Sequence, residues 1–187
     1  MKDIKDNDKN LIEDLCQWKM TKAEFETKTN FKVNFKQLNF LLDESENKVT
    51  EYNDNQYFEA IFWSLPKALS IDEKAYIYRK YLLKTWHHEH EEIVGTFQIF
   101  FNNEEINIPI LLEAINTIPE YLRSNDFKYS YIRKIIYAIG AQPEPNNIQA
   151  LEKLANETDD EQIKELAFHQ IDKRKELGRW EFIKNEK

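Results

Sequence analysis

The stretch TWHHEHEEIVGTF, residues 85–97, brings three of the four histidines of the chain together with glutamates. Imidazole and carboxylate groups three or four residues apart can share one helix face, and both are ligands of zinc. His87, His90 and Glu91 have that spacing. The metalloprotease signature HExxH is absent, because the position of its second histidine holds Glu92. Only one histidine remains elsewhere to complete a site, so we predict no metal.

A packed helix accounts for the same stretch more fully. The positions i, i+4, i+7 and i+11 of one helical face would hold Trp86, His90, Ile93 and Phe97. A buried imidazole needs a hydrogen-bond partner, and glutamates suit the positive end of a helix. We therefore expect a helix reaching about residue 101, with contact between the histidines and a partner as the alternative. The residues expected to be structural are Trp86, His87, His90 and Glu91.

No other combination of residues indicates catalysis. The chain has neither the GxSxG motif of serine hydrolases nor a glycine-rich phosphate loop. Cys16 is the only cysteine and has no histidine near it in sequence, so we expect a buried structural thiol. Acid–base chemistry by Glu104 or Glu105 with a distant acid is possible, but carboxylates are common in this chain. We predict a non-catalytic protein without a cofactor. The tryptophans expected to pack in or beside the core are Trp18, Trp63 and Trp180.

Acidic residues give the chain a formal net charge of −8. No Lys or Arg occurs between Lys84 and Arg123, and the segment ETDDEQIKE at 157–165 holds five acids and one lysine. Such a field repels nucleic-acid phosphates and attracts basic proteins. We expect a basic protein partner and no nucleic acid, with a merely solvated surface as the alternative. The acids expected to contact the partner are Asp43, Glu44, Glu46, Glu104, Glu105, Glu157, Asp159 and Asp160.

A cytoplasmic location without a membrane partner is expected. The opening residues MKDIKDNDKN are charged, unlike a signal peptide, and apolar runs such as IPILL at 108–112 are too short to span a bilayer. One cysteine allows no intrachain disulfide, which suits a reducing compartment. The sequence leaves the oligomeric state open.

Helical spacing of apolar residues predicts an all-α fold. The run FKVNFKQLNFLL at 31–42 fits both a strand and a helix, and its length favours a helix. The polar residues 43–55 are interpreted as a loop. Helix starts are predicted by three capping boxes. These are Thr21 with Glu24, Ser70 with Glu73, and Thr158 with Glu161.

Two internal alignments indicate helical repeats. NIPILLEAI at 107–115 aligns with NIQALEKLA at 147–155, and IRKI at 132–135 aligns with IKEL at 163–166. Such helices bury their apolar stripes by stacking in antiparallel pairs, so we predict an α-solenoid. The predicted single domain, 1–187, has an irregular, mostly helical part at 1–56, helical repeats at 57–178 and a tail at 179–187.

The segment YIRKIIYAIGAQPEPNNIQALEKLANETDDEQIKELAFHQIDK, residues 131–173, resembles HEAT-type repeats. The match includes Ile-Arg at 132–133, Ala-Ile-Gly at 138–140 and the helix with Leu151 and Leu154. The wider stretch 76–175 resembles a bacterial HEAT-like group whose members carry an LLxxWHxxHE block. That block here is LLKTWHHEHE at 82–91.

Many proteins of that group resemble immunity proteins of contact-dependent or other polymorphic toxin systems. The resemblance implies a stoichiometric inhibitor that blocks the active site of a cognate, basic, nuclease-like toxin. Two alternatives stay open. One is a general HEAT-like interaction scaffold without a toxin partner, and the other is a metal-dependent enzyme that uses the HHEHE segment.

Overall fold

The computed structural model describes residues 4–52, 55–99 and 102–177. Across these ranges the secondary structure is helical, without a strand, and the extended backbone pairs only in one isolated bridge. The all-α prediction is therefore confirmed. No helix in the same ranges combines the length and apolar character needed to cross a bilayer.

The helices follow one another with short connections. In chain order they are α1 Asp6–Cys16, α2 Lys22–Lys28, α3 Phe35–Tyr52, α4 Gln56–Glu59, α5 Ile71–Leu82, α6 His90–Thr96, α7 Asn107–Asn116, α8 Asn125–Gly140, α9 Asn146–Glu157 and α10 Glu161–Leu177. A π-helical turn, Ala60–Ser64, continues α4, and a 3-10 turn, Glu120–Leu122, precedes α8.

The chain divides into two compact units. Unit 1 comprises Met1–Ile77 and Trp86–Glu89, and unit 2 comprises Tyr78–Thr85 and His90–Lys187. The single domain 1–187, with its parts 1–56 and 57–178, stays a prediction. The expected tail at 179–187 lies outside the described residues.

In unit 1, helix α3 occupies most of the segment that was expected to be a loop. The loop prediction for 43–55 is wrong over residues 43–52, because α3 continues its buried stripe through a serine. Leu38, Leu42, Ser45 and Val49 are all buried at helical spacing. The Ser45 hydroxyl donates to the Leu42 carbonyl oxygen at 2.6 Å, so the polar side chain is satisfied inside the core.

The ambiguous run at 31–42 contains both kinds of backbone that its pattern allows. Val33 is extended and forms an isolated parallel bridge with Lys67. Helix α3 begins two residues later, and Asn34 caps it, since its side-chain oxygen accepts the Gln37 N–H at 2.9 Å. The preference for a helix is thus correct from Phe35 onward.

Two of the three predicted capping boxes are confirmed. In each, the hydroxyl accepts the backbone N–H of the glutamate and the glutamate accepts the backbone N–H of the capping residue. They are Thr21 with Glu24 and Ser70 with Glu73.

The third predicted capping box is wrong. Helix α10 starts at Glu161, and its capping residue is Asp160, whose Oδ1 accepts the N–H groups of Gln162 and Ile163 at 3.1 and 3.3 Å. Thr158 instead accepts the Asp160 N–H at 3.2 Å. A carboxylate next to the first turn is the stronger cap, because it carries a full negative charge at the positive end of the helix.

Helix α1 ends in a left-handed turn at Trp18, whose φ is 57°. The Trp18 N–H donates to the Leu15 carbonyl at 3.1 Å and the Lys19 N–H to the Asp14 carbonyl at 2.9 Å, as in a Schellman motif. Glycine usually occupies this position, because a Cβ atom there is sterically unfavourable. The Trp18 side chain is 64% exposed, so of its two expected positions, in or beside the core, the first is wrong.

Cys16, the last residue of α1, is buried in unit 1 as expected, with 3% of its surface exposed. Burial, reinforced by the negative charge of Glu13, raises the pKa of the Cys16 thiol to about 12. Trp63 is half-buried in the same unit, and Trp180 lies outside the described residues.

Helix α8 is the centre of unit 2. It packs against α6, α7, α9 and α10, and its isoleucines at 132, 135, 136 and 139 are buried at helical spacing. Gly140 ends the helix, and a Cβ atom built there would lie 2.2 Å from Nε2 of Gln170 on α10. Gly140 therefore allows α10 to approach α8 closely.

The left-handed turn at Trp18 generates a stability prediction. We expect Trp18→Gly to stabilise the protein relative to Trp18→Ala by about 1 kcal/mol, because alanine keeps the Cβ atom that makes this backbone unfavourable. Both variants lose the same indole, so the comparison isolates the backbone. Urea unfolding of the two variants measures the difference. Equal midpoints and slopes would show that the turn carries no strain.

Candidate functional site

The histidine block departs from the predicted continuous helix. Helix α6 begins at His90 and ends at Thr96, and Trp86 precedes it, so the predicted shared helical face is wrong for Trp86. The chain passes from unit 1 to unit 2 between Glu89 and His90. Packing in two different units, and not one helix, determines the positions of these side chains.

On the unit 1 side, His87 and Trp86 pack around Phe58. The His87 ring is fully buried and stacks on the Phe58 ring, with centroids 4.5 Å apart and planes at 12°. Its Nδ1 accepts the backbone N–H of Glu89 at 3.1 Å. The Trp86 ring meets Phe58 edge-on at 4.9 Å. Both side chains thus contribute to the aromatic core of unit 1.

Glu89 is a buried carboxylate to which sequence reasoning assigned no specific contact. One of its oxygens accepts the Trp63 indole N–H at 2.8 Å, and the other accepts the Asn55 side-chain N–H at 2.5 Å. The Asn55 side-chain oxygen in turn accepts the His88 N–H at 3.0 Å. No sequence spacing could reveal this network, because the partners of Glu89 are 26 and 34 positions away.

On the unit 2 side, His90 is fully buried and uses both ring nitrogens. Its Nε2 lies 2.6 Å from the Lys84 carbonyl oxygen and therefore donates, which leaves Nδ1 to accept from the Tyr121 hydroxyl at 3.1 Å. Glu91 accepts from Lys134 Nζ at 2.8 Å. Among the described residues, no three His, Cys, Asp or Glu side chains form a group that could hold a metal ion.

The three candidate acids of unit 1 lie on helix α3. Asp43 and Glu44 are exposed and Glu46 is half-buried. One turn earlier, Phe40 is 41% exposed on the same side of the helix. We call Phe40, Asp43 and Glu44 the α3 face.

Three of the five candidate acids of unit 2 already have partners within the unit. Glu157, exposed at the end of α9, lies 3.9 Å from Lys153 one turn earlier. Glu104 pairs with Arg79 at 3.2 Å. Asp160, besides capping α10, pairs with Lys128 at 3.2 Å and accepts the Tyr129 hydroxyl at 3.0 Å. Partial burial alone raises the pKa of Asp160, but hydrogen bonds from Ile163, Lys128 and Tyr129 outweigh it and hold the pKa below its usual value.

The remaining acids of unit 2 are exposed but not clustered. Glu105 follows Glu104, whose N–H donates to Gln142 just beyond the C-terminal end of α8. Asp159 precedes Asp160, which contacts residues near the N-terminal end of α8. The two groups are thus separated by roughly 20 Å, the length of that helix between its contacts.

The outer face of α10 is an acidic surface that sequence reasoning missed. Positions i, i+4, i+7 and i+11 are exposed, and the opposite side, with Ile163, Ala167 and Ile171, is buried. We call the exposed residues the α10 face: Glu161, Glu165, Phe168 and Asp172. Phe168 is 43% exposed between Glu165 and Asp172, and Glu161, two turns earlier, pairs with Lys164 at 3.5 Å. Applying helical spacing to polar residues, and not only to apolar ones, would have found this surface.

The Glu89 network generates the second prediction. We expect Glu89→Ala to lower the free energy of unfolding by about 1–3 kcal/mol, because two half-buried donors, on Trp63 and Asn55, lose their shared acceptor. Glu92→Ala is the matched control, since Glu92 is exposed and only three residues away, and we expect a change below about 0.5 kcal/mol. Urea unfolding of both variants measures the losses. A Glu89 variant as stable as the control would contradict the structural role of the network.

Comparison with known proteins adds no family assignment. No family model matches the sequence, and neither the curated proteins nor the solved structures include a significant match. The resemblance to HEAT-type repeats and to immunity proteins therefore depends on the residues quoted for it and stays a prediction.

Proposed function

We propose that this chain is a non-catalytic, cytoplasmic immunity protein that binds a cognate basic toxin, nuclease-like in chemistry, and blocks its active site. The observation that carries the proposal is the α10 face, where Glu165 and Asp172 lie within one helical turn of the exposed Phe168. Its neighbour in sequence, the α9–α10 turn, adds the exposed acids Glu157 and Asp159.

A HEAT-like solenoid in unit 2 is part of the proposal. Helices α9 and α10 pack against each other across a three-residue connection, and both pack against α8. A short connection between packed helices favours an antiparallel pair. In such a pair the buried stripe of α10 faces its neighbours, and its other side stays available to a partner.

The composition of the α10 face suits inhibition of a basic enzyme. Carboxylates increase the association rate with a positively charged partner, and the gain falls as salt screens it. A partly exposed aromatic side chain at the centre of such a surface is typical of residues that limit dissociation. Carboxylates placed over a basic active site would also exclude a phosphate-bearing substrate, because they occupy the same positive groups.

The α3 face offers a matched comparison within the same chain. It too has an exposed phenylalanine, Phe40, beside two acids. It belongs to unit 1, whereas the resemblance to immunity proteins covers 76–175, which includes the α10 face. We therefore assign the toxin contact to the α10 face and use the α3 face as the control.

The experiment combines this chain with the C-terminal domain of the protein encoded directly upstream of it. We expect one-to-one binding at nanomolar affinity by calorimetry, and relief of toxicity in cells. The double variant Glu165→Lys/Asp172→Lys should weaken binding at least 10-fold and flatten its salt dependence, because it reverses two charges. Phe168→Ala should weaken binding about 10-fold without changing the salt dependence.

The control variant is Asp43→Lys/Glu44→Lys on the α3 face, which should bind like the unmodified chain. If it loses affinity and the α10 variants do not, the toxin contact is assigned to the wrong helix. No binding to the neighbouring protein would reject the immunity function and favour a general scaffold.

A further inference from the structure

Helix α3 has an exposed stripe on the side opposite its buried one. The buried residues are spaced i, i+4, i+7 and i+11, and the residue two positions before each of them is exposed. A shift of two residues turns an α-helix by about 200°, so these residues lie on the outer side of α3. They are Lys36, Phe40, Asp43 and Asn47. Phe40, 41% exposed, therefore lies near the centre of the outer side.

The charges on this outer side change sign at Phe40. Lys36 lies one turn before Phe40, and Asp43 and Glu44 lie one turn after it. Lys36 also belongs to the first turn of α3, which holds no acid to balance the positive end of the helix dipole. A negatively charged partner group is therefore favoured at the Lys36 end of the stripe, and a positively charged one at the other end.

We propose that the outer side of α3 binds the same surface of a second copy of this chain, with the two helices antiparallel and the two Phe40 rings at the twofold axis. In such an interface each contact occurs twice, with the roles of the two copies exchanged. Antiparallel pairing sets each residue level with the one equally far from Phe40 in the other direction. Lys36 of each copy therefore meets Asp43 and Glu44 of the other, which forms complementary charge pairs.

Charge complementarity favours α3 over α10 for this contact. Helix α10 repeats the spacing of lysine, phenylalanine and aspartate at 164, 168 and 172. Antiparallel pairing about Phe168 would, however, place Glu165 of one copy beside Asp172 of the other, and two like charges at that distance repel each other. The residue of α3 that corresponds to Glu165 is Gln37, which carries no charge.

The size of the contact sets the strength of the dimer. Residues 36–47 extend over about 17 Å of helix. An interface one helix wide buries less than the roughly 1,200 Å² of a standard complex, so we expect a reversible dimer with a Kd on the order of 100 µM. The contact uses no residue of the α10 face, so it does not depend on the proposed immunity function.

The first test is sedimentation equilibrium of the full chain over concentrations that span the expected Kd. We expect a monomer–dimer equilibrium, and Phe40→Ala should raise its Kd at least 10-fold, because the ring lies at the centre of the contact. Phe168→Ala is the matched control, since Phe168 is similarly exposed on α10, and should leave the Kd unchanged. A chain that stays monomeric throughout, or a dimer lost only in the Phe168 variant, would overturn the assignment.

The second test reverses the charges. Lys36→Glu and Asp43→Lys/Glu44→Lys should each raise the dimer Kd at least 10-fold, because each places like charges at the same level of the two helices. Lys28→Glu changes the net charge as Lys36→Glu does, but at an exposed position on α2, and should have no effect. Dimers as tight in both charge variants as in the unmodified chain would reject the antiparallel pairing.

Mixing the two charge variants separates loss of pairing from loss of folding. A wholly acidic stripe then meets a wholly basic one, so the equimolar mixture should form a heterodimer at least as tight as the unmodified dimer. The triple variant Lys36→Glu/Asp43→Lys/Glu44→Lys should dimerise by itself, because exchanging all the signs preserves every antiparallel pair. If the mixture and the triple variant both stay monomeric, the proposed interface is wrong.

Discussion

Burial of helix α8 is the interaction on which unit 2 depends. Four helices cover it, and none of them could bury its own apolar stripe alone. The missing side chain at Gly140 lets Gln170 of α10 lie directly against α8. That contact fixes the rotation of α10 about its axis, so the same packing that buries Ile163 and Ile171 exposes Glu165 and Asp172. The acidic surface is therefore a consequence of the core.

Most of the correct fold predictions depend on the spacing of residues that are close together in the sequence. The isoleucine stripe of α8 and the capping boxes at Thr21 and Ser70 depend on residues within a few positions of one another, and the sequence shows them directly. The errors have a different origin. The polar residue Ser45 made a buried helical stripe look like a loop in the sequence. It can be buried because its hydroxyl donates to the carbonyl oxygen one turn earlier. The histidine block was misread because distant residues such as Phe58 and Tyr121 decide where its rings pack.

The charge composition of the chain predicts the sign of a partner's charge. It is a poor guide to which residues contact that partner. Glu104 and Asp160 looked available in the sequence, but Arg79 and Lys128 already hold them. The α10 face was missed because its acids are spread over three helical turns and are interrupted by buried residues. Whether a charged side chain can contact a partner therefore depends on the tertiary structure.

The position of Cys16 makes unit 1 observable on its own. It is the only thiol of the whole sequence, and with 3% of the residue exposed its Sγ becomes fully accessible to solvent reagents when the packing around α1 opens. A disulfide reagent in excess therefore reacts at a rate set by that opening, and its dependence on denaturant separates local fluctuation from full unfolding. Since no sulfur of this kind occurs in unit 2, the exchange rate reports the opening of one half of the molecule without any engineered label.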